Sequence, residues 1–242
     1  MNKRRIVLLC FAAVIGAIVA GRSLAQEPGS QHDHMTAGQG RATPEDEAAP
    51  SMSAEHLHPG SHMKMTAQRV ATAEELQRAA AIVSTLRPVL EKYKDYHAAL
   101  ADGYRPFLEN IPQPQCHFTN YWRGFEAAFR FNPAEPTSLL YKKTADGYQL
   151  LGAMYTAPKR MTEEQLNERI PLSVGRWHAH VNICLPPPDR KLTADWSTFG
   201  FAGSIATRDA CEKAGGRFEP QIFGWMVHVY PFETTTDQIW RH

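Results

Sequence analysis

Residues 176–184 constrain the fold of this chain more than any other segment. They read RWHAHVNIC, with histidines and apolar residues in alternation. Side chains on a β-strand alternate between two faces, so His178 and His180 point to one side while Trp177 and Ala179 point to the other. We therefore expect a strand with one apolar face and two imidazoles on the opposite face. Such a pair can supply half of a metal site or half of a polar core cluster, and the sequence does not decide between these two interpretations.

The first 25 residues have the pattern of a signal peptide. A basic segment at residues 3–5 precedes an apolar run at residues 6–21, and small residues stand just before Gln26, the expected new N-terminus. The apolar run is short for a membrane span, and Arg22 ends it. The sequence therefore predicts a periplasmic or secreted protein without a stable membrane span once the signal is removed.

Cysteine usage fits an oxidising compartment. Beyond the predicted signal peptide the chain carries Cys116, Cys184 and Cys211, so one disulfide can form and one thiol is left over or pairs between chains. We predict the disulfide Cys184–Cys211, because it joins the end of a strand to a short helix. On the loop-entropy model such a bond contributes about 3–4 kcal/mol to stability. Cys116 is then a free thiol beside His117.

Residues 26–70 are predicted to be a disordered tail. They are rich in Gly, Pro, Ala, Ser and acidic residues, and they contain almost no β-branched or aromatic side chains that could build a core. Clustered histidines and methionines can bind metals, and thioethers bias such a tract towards copper. A flexible linker with incidental histidines is the alternative. Five of the chain's 11 histidines lie in this tail: His32, His34, His56, His58 and His62.

Residues 71–242 are predicted to form a single α+β domain, with an antiparallel sheet, an N-terminal kinked helix and short helices packed on the sheet. A capping box at residues 72–75 begins the first helix, which Pro88 should break or kink. His97 falls on the apolar stripe of this helix and is expected in the core. Further caps at Thr162 and Thr207 begin two short helices. Apolar runs predict strands at residues 116–121, 138–143, 148–156, 176–184 and 222–232, with a hairpin turn at residues 146–147.

The formal net charge excludes one class of partner. It is only +1, which gives no electrostatic field for nucleic acid. The sequence also has no basic stripe with interleaved aromatic residues. We therefore expect a metal ion or a small molecule as the partner.

Several blocks of the predicted domain resemble a known family. They are AALADGY at residues 98–104, HFTN at 117–120, GYQLLGAMY at 147–155 and WHAHV at 177–181. Their order is similar to that in a group of uncharacterised secreted bacterial proteins and, more distantly, in plant oil-body-associated proteins. The resemblance covers about residues 71–232 and carries no established activity. It implies that His117, His178 and His180 belong together as a set.

The histidines of the predicted domain suggest a metal site. A His-x-His strand beside another histidine-bearing strand can present three imidazoles with an open fourth position, which zinc, copper and iron all accept. We expect Glu126, Asp195 or Glu233 as carboxylate partners. In the alternative, the histidines are a satisfied polar cluster bonded to backbone carbonyls, Asn182 and Tyr155. The predicted metal ligands are His117, His178, His180 and His228.

Three functions are compatible with these features. The first is an exported copper- or zinc-binding protein with a core histidine site and a histidine- and methionine-rich tail. The second is a small metal-dependent enzyme that uses the same histidines to activate water or oxygen. The third is a secreted structural or ligand-binding domain without a metal. Its apolar pocket would be lined by Trp122, Phe125, Phe129, Trp177 and Trp225.

Overall fold

The computed structural model describes residues 62–109, 113, 115–191 and 193–242. The predicted signal peptide and most of the predicted tail lie outside these residues. Among the described residues, no helix has the length and apolar character needed to cross a membrane. Their helices are α1 (Ala73–Glu91), α2 (Tyr96–Ala101), α3 (Tyr121–Glu126), α4 (Glu163–Arg169), α5 (Arg208–Lys213) and α6 (Thr236–Ile239). Their strands are β1 (Met63–Met65), β2 (Arg105–Phe107), β3 (Cys116–Thr119), β4 (Ser138–Thr144), β5 (Gly147–Ala157), β6 (His178–Leu185), β7 (Arg217–Gln221) and β8 (Trp225–Val229).

The strands form one antiparallel sheet, which confirms the predicted α+β class. Their order is β1-β6-β8-β5-β4-β3-β2, and β7 pairs with the second half of β6. The predicted hairpin joins β4 to β5, where Thr144 pairs with Gly147. Gly147 has φ 139°, a value that favours glycine at this turn. The sequence prediction missed β1, β2 and β7, which are short and lack a clear alternating pattern.

Strand β6 separates the main core from the predicted histidine face. Trp177, just before the strand, and Ala179 are fully buried in the main core. Leu86 and Leu90 of α1 belong to the same core, so the helix packs against this side of the sheet. His178 lies on the opposite face, as the period-two pattern predicts.

Helix α1 begins as predicted but is not divided at Pro88. Thr72 and Glu75 form both hydrogen bonds of the capping box. The helix continues through Pro88 to Glu91. Proline removes one hydrogen bond, to the carbonyl of Ser84, and both residues are exposed, so water can satisfy that oxygen. The expected core position of His97 is wrong, because its side chain is exposed and bonds to Asp95 on the surface.

The predicted disulfide is present. Cys184 at the end of β6 and Cys211 in α5 have Cα atoms 5.5 Å apart, and Cys116 is a free, half-buried thiol. Gly216 packs directly against this bond, and a Cβ added there would lie 2.6 Å from the Cys184 sulfur. Any larger residue at position 216 would therefore push against the disulfide.

Strand β1 changes the expected end of the tail. Residues 63–65 pair with β6, and Thr66 continues the contact through hydrogen bonds with the backbone N–H and C=O of Trp177. His62 is buried, and its ring nitrogens lie 2.9 Å from the Asn182 carbonyl oxygen and 2.6 Å from that of Gly203. Ordered structure therefore starts before residue 70, and His62 belongs to the sheet edge.

A chain that begins at Val70 should be less stable than one that begins at Gly60. It lacks β1, its hydrogen bonds to β6 and the buried side chain of Met65, which together should cost about 2–4 kcal/mol. Urea unfolding of the two chains measures the difference. Equal midpoints and equal slopes would contradict the role given to β1.

Candidate functional site

The four predicted histidines lie together on one face of the sheet. The ring centroids of His178 and His228 are 5.0 Å apart, and those of His117 and His228 are 5.7 Å apart. His180 follows, with its centroid 5.8 Å from that of His178. Strands β3, β6 and β8 thus supply a continuous row of imidazoles. We refer to these four residues and His242 as the histidine cluster.

His242 is the member that sequence reasoning missed. Its ring centroid lies 4.3 Å from that of His178, and its ring is nearly parallel to that of His228 at 5.8 Å. It follows α6, whose end returns to the sheet through a hydrogen bond from Tyr230 N–H to the Ile239 carbonyl. His242 is exposed, whereas His178 is buried, so it lies on the solvent side of the cluster. No spacing in the sequence could have predicted this long-range contact.

Apolar and aromatic side chains surround the cluster. The His180 ring packs edge-on against Phe201 at 4.9 Å, and Phe223 lies 6.3 Å from the same ring. Phe223 also contacts Phe107. On the sheet itself, Tyr230 lies next to His228. These rings reduce the contact of His180 and His228 with water, and both residues are half-buried.

Some ring nitrogens of the cluster have hydrogen-bond partners and others have none. The ring nitrogen Nδ1 of His117 lies 3.1 Å from Oε1 of Gln113, and Nδ1 of His228 lies 3.4 Å from Nε2 of Gln115. In contrast, Nδ1 of His178 and Nε2 of His228 are buried with no hydrogen-bond partner. The alternative of a fully satisfied polar cluster therefore does not hold for these two atoms, since buried polar groups are normally paired.

Burial keeps the imidazoles neutral. It lowers the pKa of His117 and His180 to about 4 and that of His228 to about 3. Burial also brings the pKa of His178 well below its usual value, and the neighbouring histidines lower it further. The charges that act on these pKa values belong to other histidines. Neutral imidazole is the form that binds a metal ion.

The ring spacings can be compared with those of a metal site. Two imidazoles bound to one tetrahedral ion, with metal–nitrogen distances of about 2 Å, have ring centroids roughly 5 Å apart. The cluster spacings of 4.3–5.8 Å bracket this value. Within the described residues, however, no group of three or more His, Cys, Asp or Glu side chains is positioned to hold an ion as it stands. The rings are close enough, but their nitrogen atoms would have to turn towards a common point.

The expected partners outside the histidine set bond to other residues. Glu126 pairs with Arg130, and Glu233 pairs with Arg241. Asp195 instead bonds within its own turn, to residues 197 and 198. The side chain of Tyr155 packs in the main core, and its hydroxyl donates to the Pro133 carbonyl. The backbone carbonyl of Asn182 faces His62. None of these contacts is with a member of the histidine cluster.

The predicted aromatic pocket does not form as a single unit. Trp177 and Trp225 are buried in the main core. Trp122 and Phe125 lie on α3, Phe129 lies just after it, and all three are exposed and stack on one another. The five side chains therefore belong to two separate regions.

No protein-family model, curated protein or solved structure matches this chain. The resemblance to secreted bacterial proteins and to plant oil-body-associated proteins therefore stays a prediction. The disulfide and the lack of a membrane-crossing helix among the described residues are compatible with an exported protein.

The metal-free protein should lose stability as the pH falls below about 6.5. The unfolded chain then binds protons at its histidines, whereas the half-buried imidazoles of His117 and His180 stay neutral down to a pH of about 4. Each such histidine should lower the free energy of unfolding by about 1.4 kcal/mol per pH unit in this range. Denaturant unfolding in the presence of a chelator measures the slope.

The matched variants are His180→Gln and His97→Gln. The first removes one buried imidazole and should reduce the slope by about 1.4 kcal/mol per pH unit between pH 6.5 and 4. The second changes an exposed histidine and should leave the slope as it is. If the parent protein and both variants had the same dependence of unfolding free energy on pH, the result would contradict the presence of desolvated, neutral imidazoles in the folded protein.

Proposed function

We propose that this protein binds a transition-metal ion, copper or zinc, at the histidine cluster. The ligands are drawn from His117, His178, His180 and His228, with His242 on the solvent side of the cluster. We further propose that the chain is exported to the periplasm or secreted, where its disulfide is stable. The tail histidines would collect metal before the folded site takes it.

The observation that carries the proposal is the pair of buried nitrogens without partners. Nδ1 of His178 and Nε2 of His228 lie inside a group of five imidazoles, and desolvation without a hydrogen bond costs about 1–3 kcal/mol for each. A metal ion would use these lone pairs. Because no hydrogen bond holds Nδ1 of His178, rotation of its ring about the Cβ–Cγ bond can direct this nitrogen towards an ion that Nε2 of His228 also contacts.

The remaining contacts support ligand roles for two of the rings. Metal-bound imidazoles usually donate their second N–H to an oxygen, which fixes the ring. Nδ1 of His117 has such a partner in Oε1 of Gln113. For His228, turning over the Gln115 amide would give the same arrangement at Nδ1, and the Tyr230 hydroxyl, which now donates to Oε1 of Gln115, would then accept from the amide N–H.

Binding is proposed here in preference to catalysis. An enzyme would need an acid or base beside the metal, and the three carboxylates expected as partners of the site bond to other residues. A metal-dependent enzyme that uses the same histidines remains the alternative, and a secreted structural or ligand-binding domain without a metal is the third candidate.

The test is the metal affinity of the chain from Gln26 onward. We expect one tight equivalent of Zn²⁺ or Cu²⁺ in competition with a chromophoric chelator, and tetrahedral absorption bands with Co²⁺. The double variant His178→Gln/His228→Gln should weaken this equivalent by about 100-fold or more, because it removes the two central ligands.

Two controls separate the core from the tail. A variant with glutamine at positions 32, 34, 56 and 58 removes tail histidines, and His97→Gln removes an exposed one. Both should keep the tight equivalent. Tight binding that survives in the double variant but is lost in the tail variant would contradict the proposal.

A further inference from the structure

The sheet register places a methionine directly across from each histidine of the two central strands. His178 pairs with Met65 on one side and with Met226 on the other. Paired residues of antiparallel strands point to the same face, with Cβ atoms about 4.5–5.5 Å apart. The full set of pairs is Met63 with His180, Met65 and Met226 with His178, and Met154 with His228.

Three of these methionines are buried on the histidine side of the sheet, and Met63 is half-buried. Met65, Met226 and Met154 are 1%, 7% and 6% exposed. Met154 and Met226 pack with Leu140 and Tyr230 in a cluster of their own, apart from the main core. Their thioethers therefore share the face of the imidazoles and are shielded from water together with them.

From this register we infer that the site takes monovalent copper, with methionine sulfur completing an imidazole and thioether donor set. The inference rests on the proposed function, since it specifies which ion the histidine cluster holds. Thioether sulfur is a soft ligand that selects Cu⁺, whereas imidazole serves both Cu⁺ and Zn²⁺. Met65 and Met226, which flank His178, are the primary sulfur ligands.

The charge of the surroundings favours the same ion. Imidazole and thioether donors are both neutral, and the expected carboxylates bond elsewhere. The cost of moving an ion out of water grows with the square of its charge, so an uncompensated Zn²⁺ costs about four times as much as Cu⁺. A site of neutral donors around the buried His178 therefore costs less desolvation for the monovalent ion than for the divalent one.

Methionine also fills irregular space in apolar cores, which is the competing explanation for the same pattern. The two explanations predict different responses to Met→Leu substitution. Leucine has nearly the same volume as methionine and preserves packing, but it has no sulfur. Loss of the thioether should therefore weaken Cu⁺ binding and leave Zn²⁺ binding and folding intact.

The experiment compares Met65→Leu/Met226→Leu with Met161→Leu, a methionine packed against the main core. All proteins carry Cys116→Ser, so that no thiol contributes. Cu⁺ affinity is measured without oxygen against a Cu⁺-specific chelator, and Zn²⁺ affinity is measured in parallel. The double variant should lose about 100-fold in Cu⁺ affinity and less than about threefold in Zn²⁺ affinity. Met161→Leu should lose neither.

A spectroscopic readout is independent of affinity. X-ray absorption at the copper edge should show sulfur neighbours in the parent protein and only light neighbours in the double variant. Unchanged Cu⁺ affinity in the double variant would overturn the inference and leave the histidine site in place. Equal losses of Cu⁺ and Zn²⁺ affinity would also overturn the inference, because they would show that the methionines act through packing and not as ligands. A parent protein that binds neither ion would overturn the proposed function and the inference together.

Discussion

The pairing of β6 with β1 on one side and β8 on the other is the constraint on which the site depends. At His178 the two pairings meet, with Met65 and Met226 as its direct neighbours. The alternation of the same strand places Trp177 in the main core. Burial of the apolar face thus fixes the orientation of the imidazole face, and a shift of the register by one residue would exchange them.

Desolvation links this geometry to chemistry. The rings of Phe201 and Phe223 shield the cluster, and the pKa values of His117, His180 and His228 fall to between about 3 and 4. The folded chain therefore keeps several imidazoles neutral, at a cost in stability that appears as the pH falls below about 6.5. A bound cation would offset that cost, because it interacts with the lone pairs that burial leaves unused.

Much of this arrangement follows from local sequence patterns, and the rest depends on the order of the strands. Alternation in β6 predicts the two faces, and the cap at Thr72 predicts the start of α1, because both signals act over a few residues. Residues 62–66 resemble the polar tail, and only their pairing with β6 makes them a strand. The contacts of His242 likewise arise from tertiary structure. The methionine pairs could not be foreseen without knowing that β6 lies between β1 and β8.

The central claim is that the folded domain itself holds a transition-metal ion. Its most direct test is the metal content, by mass spectrometry, of a chain that begins at Gly60, exported behind a cleavable signal peptide and purified without chelator or affinity tag. That chain keeps β1 and the cluster but lacks His32, His34, His56 and His58. The account predicts close to one equivalent of copper or zinc per chain. A chain that carries no transition metal, and takes up neither ion when they are added, would contradict it.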